Sequence, residues 1–437
     1  MAKKKEAPAN PFVPAEEQPY PIPENWCWAY LTGFTECLDS FRKPINATER
    51  AGRSGTVPYY GATGQVGWID DFLTDEQLVL VGEDGAPFLD RMKDKAYMIE
   101  GKAWVNNHAH ILRSYFGPIG NFYLLNYLNC FDYSEYVNGT TRLKLTQSSM
   151  NTIPIPIAPL PEQQRIVDRI ESLFAKLDEA KEKAQAVVDG FELRKSAILH
   201  KAFTGELTER WRKEHGVELD SWTEWKLKDC GDWCGGGTPS MAHPEYWNEG
   251  DLLWVTSKDM KSDVIEDTLM HTNMTGVENS SANYIEKPSV LFVMRSGILR
   301  RTLPIAMVKI PFTINQDLKA ISPTDDLDLE YFFWVCKSAE KRLLGTCMKN
   351  GTTVESINAK ALMEFEIPIA SQVEQKQIVA CIVSLLNKEQ QAKEAAEAVL
   401  DQIDIMKKAI LARAFRGELG TNDPAEESSI ELLQSVL

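Results

Sequence analysis

Apolar residues recur at alternating steps of four and three along Ile166, Ile170, Leu173, Leu177, Ala180, Ala184, Val187, Phe191 and, beyond Arg194, Ile198. The same rhythm returns along Ile378, Ile382, Leu385, then past Glu389 along Ala392, Ala396, Val399, Ile403, Met406 and Ile410. This is the a/d spacing of a coiled-coil seam, and it predicts two long helices. Each seam has one polar interruption, Arg194 or Glu389, and central alanines that let backbones approach closely. Pro161 falls where a helix start tolerates proline, and Gly205 and Gly417 are suitable stops. A helix of about 40 residues is roughly 60 Å long, and an apolar seam of that length has to be covered. Pairing the two helices antiparallel covers both and places two modules at opposite ends of a rod. The alternative packs each helix on its own globular module or on another chain.

The intervening stretches have a different texture. Short apolar runs, such as Leu78–Val81 and His110–Leu112, lie between Gly, Asp and Asn turns, as do Leu252–Val255 and Val290–Met294. They predict two strand-rich modules. Each opens on a tryptophan pair, Trp26/Trp28 and Trp222/Trp225. The expected boundaries are an N-terminal arm over 1–20, a first module over 21–150 and a helical segment over 151–220. A second module over 221–363, a second helical segment over 364–420 and a tail over 421–437 complete the chain. The arm is rich in Pro, Ala and Glu behind Lys3-Lys4-Lys5, a composition that favours disorder.

The helical segments are a duplication. Asn138–Leu207 aligns without gaps on Asn350–Leu419, with about 32 of 70 positions identical, so the chain is an internal repeat. Both copies begin Asn-Gly-Thr-Thr (Asn138–Thr141, Asn350–Thr353), pass through Pro-Ile-Ala and Glu-Gln-x-x-Ile-Val, and close on Ala-Phe-x-Gly-Glu-Leu. Two like supports therefore carry two unlike modules, which suits reading two different things at a fixed separation.

Composition bounds what such a molecule does. With 437 residues, two to four domains are expected. No apolar run reaches the ~18–20 residues of a membrane span, and the N-terminus lacks a secretory signal, so a cytoplasmic location is expected. The eight cysteines are scattered, which predicts free thiols rather than a disulfide framework. Cys230-x3-Cys234 lacks a second ligand pair, so no metal is expected. The net charge of −16 argues against a simple basic nucleic-acid binder; either a partner supplies positive charge or local basic patches persist. No Pro-Pro dipeptide and no phosphate-binding Gly-x4-Gly-Lys-Ser/Thr loop occur, which disfavours intrinsic methyl transfer or ATP hydrolysis. Asp90 with Glu100-x-Lys102 faintly echoes a metal-dependent nuclease, a pattern common by chance.

The duplicated helix start (Pro161 to Val167; Val373 to Val379), the duplicated Ala-Phe-x-Gly-Glu-Leu and the tail Asp423-Pro424-Ala425-Glu426 carry a resemblance. So do Tyr60-Gly61-Ala62-Thr63-Gly64, Gly82–Ala86, Trp254–Asp259, Arg295-Ser296-Gly297 and Asn315-Gln316-Asp317. Together they resemble the specificity subunit of type I restriction–modification enzymes. The resemblance implies an α+β chain: two globular α/β target-recognition domains separated by two long antiparallel coiled-coil helices, with pseudo-twofold symmetry. It implies a non-catalytic subunit in which each domain reads one half of a bipartite double-stranded DNA site and the coiled coil sets the gap. It further implies two modification (methyltransferase) subunits and two restriction (motor–nuclease) subunits as partners. S-adenosylmethionine would belong to the former, ATP and Mg²⁺ to the latter, and no cofactor to this chain. Three readings stay open beside it: the recognition subunit of a fused methyltransferase–nuclease system, a protein-binding coiled-coil scaffold, and an independent nuclease.

Reading DNA needs hydrogen-bonding side chains aimed at base edges and cations on phosphates. In the first module the candidates are Tyr59, Tyr60, Thr63, Gln65, Arg91, Lys93, Lys95, Asn106 and Asn107. In the second they are Lys258, Lys261, Arg295, Arg300, Arg301, Lys309, Asn315 and Gln316. His108 and His110, on an apolar run, are expected to be structural.

Overall fold

The computed structural model describes residues 10–349 and 354–436. The second Asn-Gly-Thr-Thr lies outside the described residues, as does the basic run of the arm. The chain divides into two units, one holding residues up to Ala186 together with those from Ala396 onward, the other Val187–Ala395. These divisions fall inside the helical repeats rather than at the module boundaries expected from sequence, because the two ends of each repeat join different cores. In the first unit, Ile166, Val167 and Ile170 enter one core with Leu411, Ala414 and Phe415. In the second, Ile378 and Ile382 share a core with Leu199 and Ala202. The Ala-Phe closing the repeat is thus a packing device: Phe415 lies 5.0 Å from the ring of Tyr123, and Phe203 lies 5.5 Å from that of Tyr331.

The two modules share one strand topology. In the first, a four-stranded antiparallel sheet runs in the order Thr35–Cys37, Ala109–Ser114, Leu78–Gly82, Ala96–Ile99. In the second the order is Gly231–Gly235, Leu318–Pro323, Ser289–Val293, Ile305–Val308. Each adds a second sheet, four-stranded in the first module and three-stranded in the second, with a parallel pair, Val57–Gly61 beside Lys102–Val105 and Leu252–Val255 beside Phe312–Ile314. The inner strands read as continuous apolar runs because both faces are covered.

The duplicated Glu-Gln explains itself at the start of each repeat. Glu162 is fully buried and accepts from the Trp26 indole N–H (2.7 Å) and from Asn422 (2.8 Å). Glu374, equally buried, accepts from Trp222 (2.8 Å), Thr208 (2.7 Å) and Arg212 (2.7 Å). Gln163 and Gln375 each donate to the carbonyl of a preceding alanine at 2.9 Å. A buried carboxylate persists only when paired, so the motif locks each helix to the strand that opens its module. Only the first tryptophan of each pair is shared: Trp28 stands opposite Pro156, and the residue opposite the matching Pro368 is Glu224.

The helices differ from the expected pair of continuous rods. The second is unbroken from Gln372 to Ala414, 43 residues. The first runs Leu160–Asp189, stops at Gly190 and resumes over Phe191–Phe203. The repeat position of Gly190 in the second copy is Gln402, and glycine is the poorer helix former by about 1 kcal/mol. Within each unit the two helices run antiparallel. Asp178 and Lys181 meet Lys407 (2.6 Å) and Asp404 (3.6 Å) in the first; Arg194 meets Glu389 (2.5 Å) in the second. The two polar interruptions of the seams are therefore partners.

Ile166, Ile170, Ile378, Ile382 and Ile403 are buried; Leu173, Leu177, Val187, Phe191, Ile198, Leu385 and Ile410 are half-buried. Val399 and Met406 depart from the expected seam: they are 42% and 41% exposed, and Leu400 is half-buried instead. A straight helix repeats every 3.6 residues, so a strict 3.5-residue count drifts off the buried face.

The arm expected to be disordered is anchored to the first module through Pro11, Val13 and Tyr20. The Val13 N–H donates to the Trp28 carbonyl (3.1 Å), Tyr30 donates to that of Pro11 (2.8 Å), and Tyr20 stands edge-on to Trp28 at 4.9 Å. Prolines lack the N–H but keep a carbonyl, which suffices at a strand edge. All eight cysteines are free. Among the described residues, no helix is long and apolar enough to cross a membrane.

Candidate nucleic-acid interface

At one end of the strands, three loops converge in each module. In the first they follow Gly61, Gly82 and Val105; in the second they follow Val255, Val293 and Ile314. The backbone bonds that gather them match. The Asn106 N–H donates to the Tyr60 carbonyl (3.1 Å) as Asn315 does to Val255 (3.0 Å). Glu83 donates to His108 (2.8 Å) as Met294 does to Asp317 (2.8 Å). Leu145 donates to Glu83 (2.7 Å) as Ile357 does to Met294 (2.8 Å). Glycine is required where backbones press together. A Cβ on Gly82 would lie 2.9 Å from the Ala62 carbonyl oxygen, and one on Gly236 would lie 2.1 Å from that of Ile314.

Side chains on this shared frame differ. In the first module Asp84 takes His108 (2.7 Å) and Arg142 (3.0 Å). In the second, the matching positions hold Arg295 and Asp317, paired at 3.4 Å, so the contact keeps its place while a cation stands where the first module has the Asp84 carboxylate. Arg300 pairs with Glu355 at 2.5 Å and holds that carboxyl below its usual range. Beneath the first module's loops lies a cross-brace. His110, fully buried, gives Nδ1 to Asp39 (2.6 Å) and Nε2 to the Leu145 carbonyl (2.9 Å). Arg42 bridges Asp39 and Glu83, and Lys144 reaches Glu83 at 2.8 Å. Burial alone would raise the Asp39 carboxyl; His110, the Ile111 N–H and Arg42 outweigh it and hold the group below its usual range. Burial likewise opposes ionisation of Glu83, and Lys144 and Arg42 prevail. Asp39, Glu83 and His110 offer ligand atoms within 4.8 Å of one another. Each of those atoms already faces a protein partner, so the cluster is a structural brace rather than a metal site.

The candidates read from sequence separate accordingly. Thr63, Gln65 and Asn107 are exposed at the first module's loop end, with Tyr60 half-buried beside Tyr97. Lys258, Lys261, Arg295, Arg300, Arg301 and Gln316 are exposed on the second module's converging loops. Four candidates are instead structural. Tyr59 is 1% exposed and its hydroxyl meets the Ile45 backbone. Lys95 is buried, with its ammonium on the carbonyls of Asp90 and Lys93 and pushed down by burial. Asn106 and Asn315 are buried and accept the N–H two residues on, from His108 (2.8 Å) and Asp317 (3.2 Å). Arg91 and Lys93, on the long loop after Gly82, are exposed but pair with Asp132 (2.7 Å) and Asp90 (3.6 Å). Lys309 pairs with Glu330 (2.6 Å) on the turn after Val308, at the opposite end of the strands. His108 is half-exposed with its Nδ1 2.7 Å from Asp84, and His110 is structural as expected.

Sequence reasoning missed Arg142 and Lys144, half-exposed beside Asp84 and Glu83. They sit inside the duplicated segment, where their counterparts are Val354 and Ser356. That local divergence was the available signal. It also missed Val66 and Trp68, 49% and 56% exposed on the hairpin strand Gly64–Ile69. Apolar residues at i and i+2 read as a buried strand face, which hid them.

Comparison with known proteins fits this layout. Residues 25–188 and 220–398, well over half of the chain, match the family described as the type I restriction modification DNA specificity domain. The Escherichia coli type I restriction enzyme EcoR124I/EcoR124II specificity subunit is 30% identical over 274 residues, 59% of this chain and 61% of that relative. The MjaIX specificity subunit of Methanocaldococcus jannaschii is 30% identical over 202 residues, 44% of this chain and 45% of its own length. The chain thus matches less than two thirds of the length of these relatives. In three dimensions it resembles the HsdS subunit from Thermoanaerobacter tengcongensis, with a TM-score of 0.61 and 18% identity. That match covers 92% of this chain and all of the other. A second structure, solved for complex assembly and conformational transition of a type I restriction–modification system, gives a TM-score of 0.62 at 19% identity over the same shares. At such identities the likeness speaks for the fold alone. On the two matched domains, the chain belongs to the type I restriction–modification DNA specificity family.

Proposed function

We propose that this chain is the sequence-specificity subunit of a type I restriction–modification complex, with each module reading one half of a bipartite DNA site. The observation that carries this reading is a shared loop frame presenting different side chains. Matching backbone bonds hold both loop sets, while the exposed residues differ and Arg295 stands where the first module has Asp84. A constant frame with variable tips is what two readers of different sequences require. The antiparallel helix pairs would set the unread gap and dock two modification subunits, which bring S-adenosylmethionine. Two restriction subunits would bring ATP and Mg²⁺. The exposed cations of the second module, Lys258, Lys261, Arg295, Arg300 and Arg301, suit phosphates or guanine.

Co-expression with its modification subunit, followed by long-read mapping of methylated adenines, tests the reading. A two-part motif with a fixed gap is expected, and it should vanish without this chain. Methylation that is absent, or that follows a contiguous motif, contradicts it.

A further inference from the structure

We propose that Asn107 and Gln316 are one reading position, occupied twice, and that each reads an adenine in the half-site of its own module. This deepens the function proposed above and rests on it. The equivalence comes from strand pairing. Gly82 stands opposite Ala109, and Val293 stands opposite Leu318, so the residues just before Ala109 and Leu318 correspond. Asn106-Asn107-His108 therefore superposes in register on Asn315-Gln316-Asp317.

Each triplet is an Asx turn. The first residue is buried and its side-chain oxygen takes the N–H of the third; the third residue's carbonyl takes an N–H from the neighbouring loop. The middle residue is left exposed in both modules, on a backbone fixed from both sides. Both middle residues are carboxamides. A carboxamide can accept from adenine N6 and donate to N7 at once, a pairing no other base offers in the major groove. The third residue pairs with the neighbouring loop in both modules, His108 with Asp84 in one and Asp317 with Arg295 in the other. Identical amide chemistry thus sits beside a carboxylate in one module and a guanidinium in the other at the matching position, which lets the two modules accept adenine in different flanking contexts. The Thr238 hydroxyl, 2.5 Å from Gln316 Oε1, orients that amide and leaves the oxygen's second lone pair available.

The test uses the complex assembled with its modification subunit. Wild type first defines the two-part motif; failure to obtain one defeats the function proposed above rather than this assignment alone. Gln316→Ala should then relax one A·T position in one half of the motif, leaving the other half unchanged. Asn107→Ala should do the reciprocal. Binding to duplexes carrying 7-deazaadenine at that position should weaken for wild type by roughly 5- to 100-fold and not weaken further for the matching alanine variant. If a variant abolishes methylation, the deaza series on wild type alone decides: insensitivity at every adenine of either half overturns the proposal. An unchanged motif, or equal loss of affinity at all positions, in variants that melt like wild type also overturns it.

Discussion

Residue identities acquire meaning from their partners. Asp39 is an aspartate in a loop by sequence, yet it anchors the brace of His110, Arg42 and Glu83 under the first module's converging loops. Its carboxyl is depressed in the fold, so its contribution is complete above the unfolded value of about 3.9. It is lost as pH falls through the lower folded value. Asp39→Asn should therefore lower the melting temperature at pH 7, with the gap to wild type narrowing below about pH 4. A thermal melt series from pH 7 to pH 3 checks this, and a gap independent of pH would refute the ionic role. At this scale the sequence was only partly legible. Tyr59, Asn106 and Asn315 carry the right chemistry for bases, but residue type does not show whether a side chain turns into the core or into a turn.

Helices were the most legible elements, because their pattern is local and repeated. The seam foretold both helices; it did not foretell the stop at Gly190, the exposure of Val399 and Met406 or the inward turn of Leu400. These departures follow from ordinary helix physics, propensity and a 3.6-residue turn. Gly190 has φ −78° and ψ −6°, a conformation alanine adopts freely. Gly190→Ala should stabilise the chain by about 0.5–1 kcal/mol in denaturant unfolding; a destabilised variant would mean the interruption is needed. Arg194 and Glu389 looked like independent blemishes until the antiparallel pairing joined them. Reversing either charge alone should cost about 1–2 kcal/mol, since the pair is half-buried and like charges would then face each other. Exchanging both, Arg194→Glu with Glu389→Arg, should recover most of that in the same unfolding measurement. No recovery would show that the two do not couple.

For the whole molecule, duplication was the decisive signal in the sequence, since it separated two like supports from two unlike modules before any fold was known. The division into units was not legible, because it depends on the closing Ala-Phe of each repeat packing under the module that the other copy's helix underlies. The matched loop frames were hidden too: the module interiors have diverged in sequence, and their likeness lives in backbone hydrogen bonds. If the helix pair is a ruler, its length is the variable to change. Removing seven residues from each helix where they face one another, residues 180–186 and 399–405, withdraws about 10 Å of rise. Mapping methylated adenines with this shortened chain and its modification subunit should return the same two half-sites with the gap reduced by about three base pairs. The same half-sites at the original spacing would contradict the helices' role in setting it.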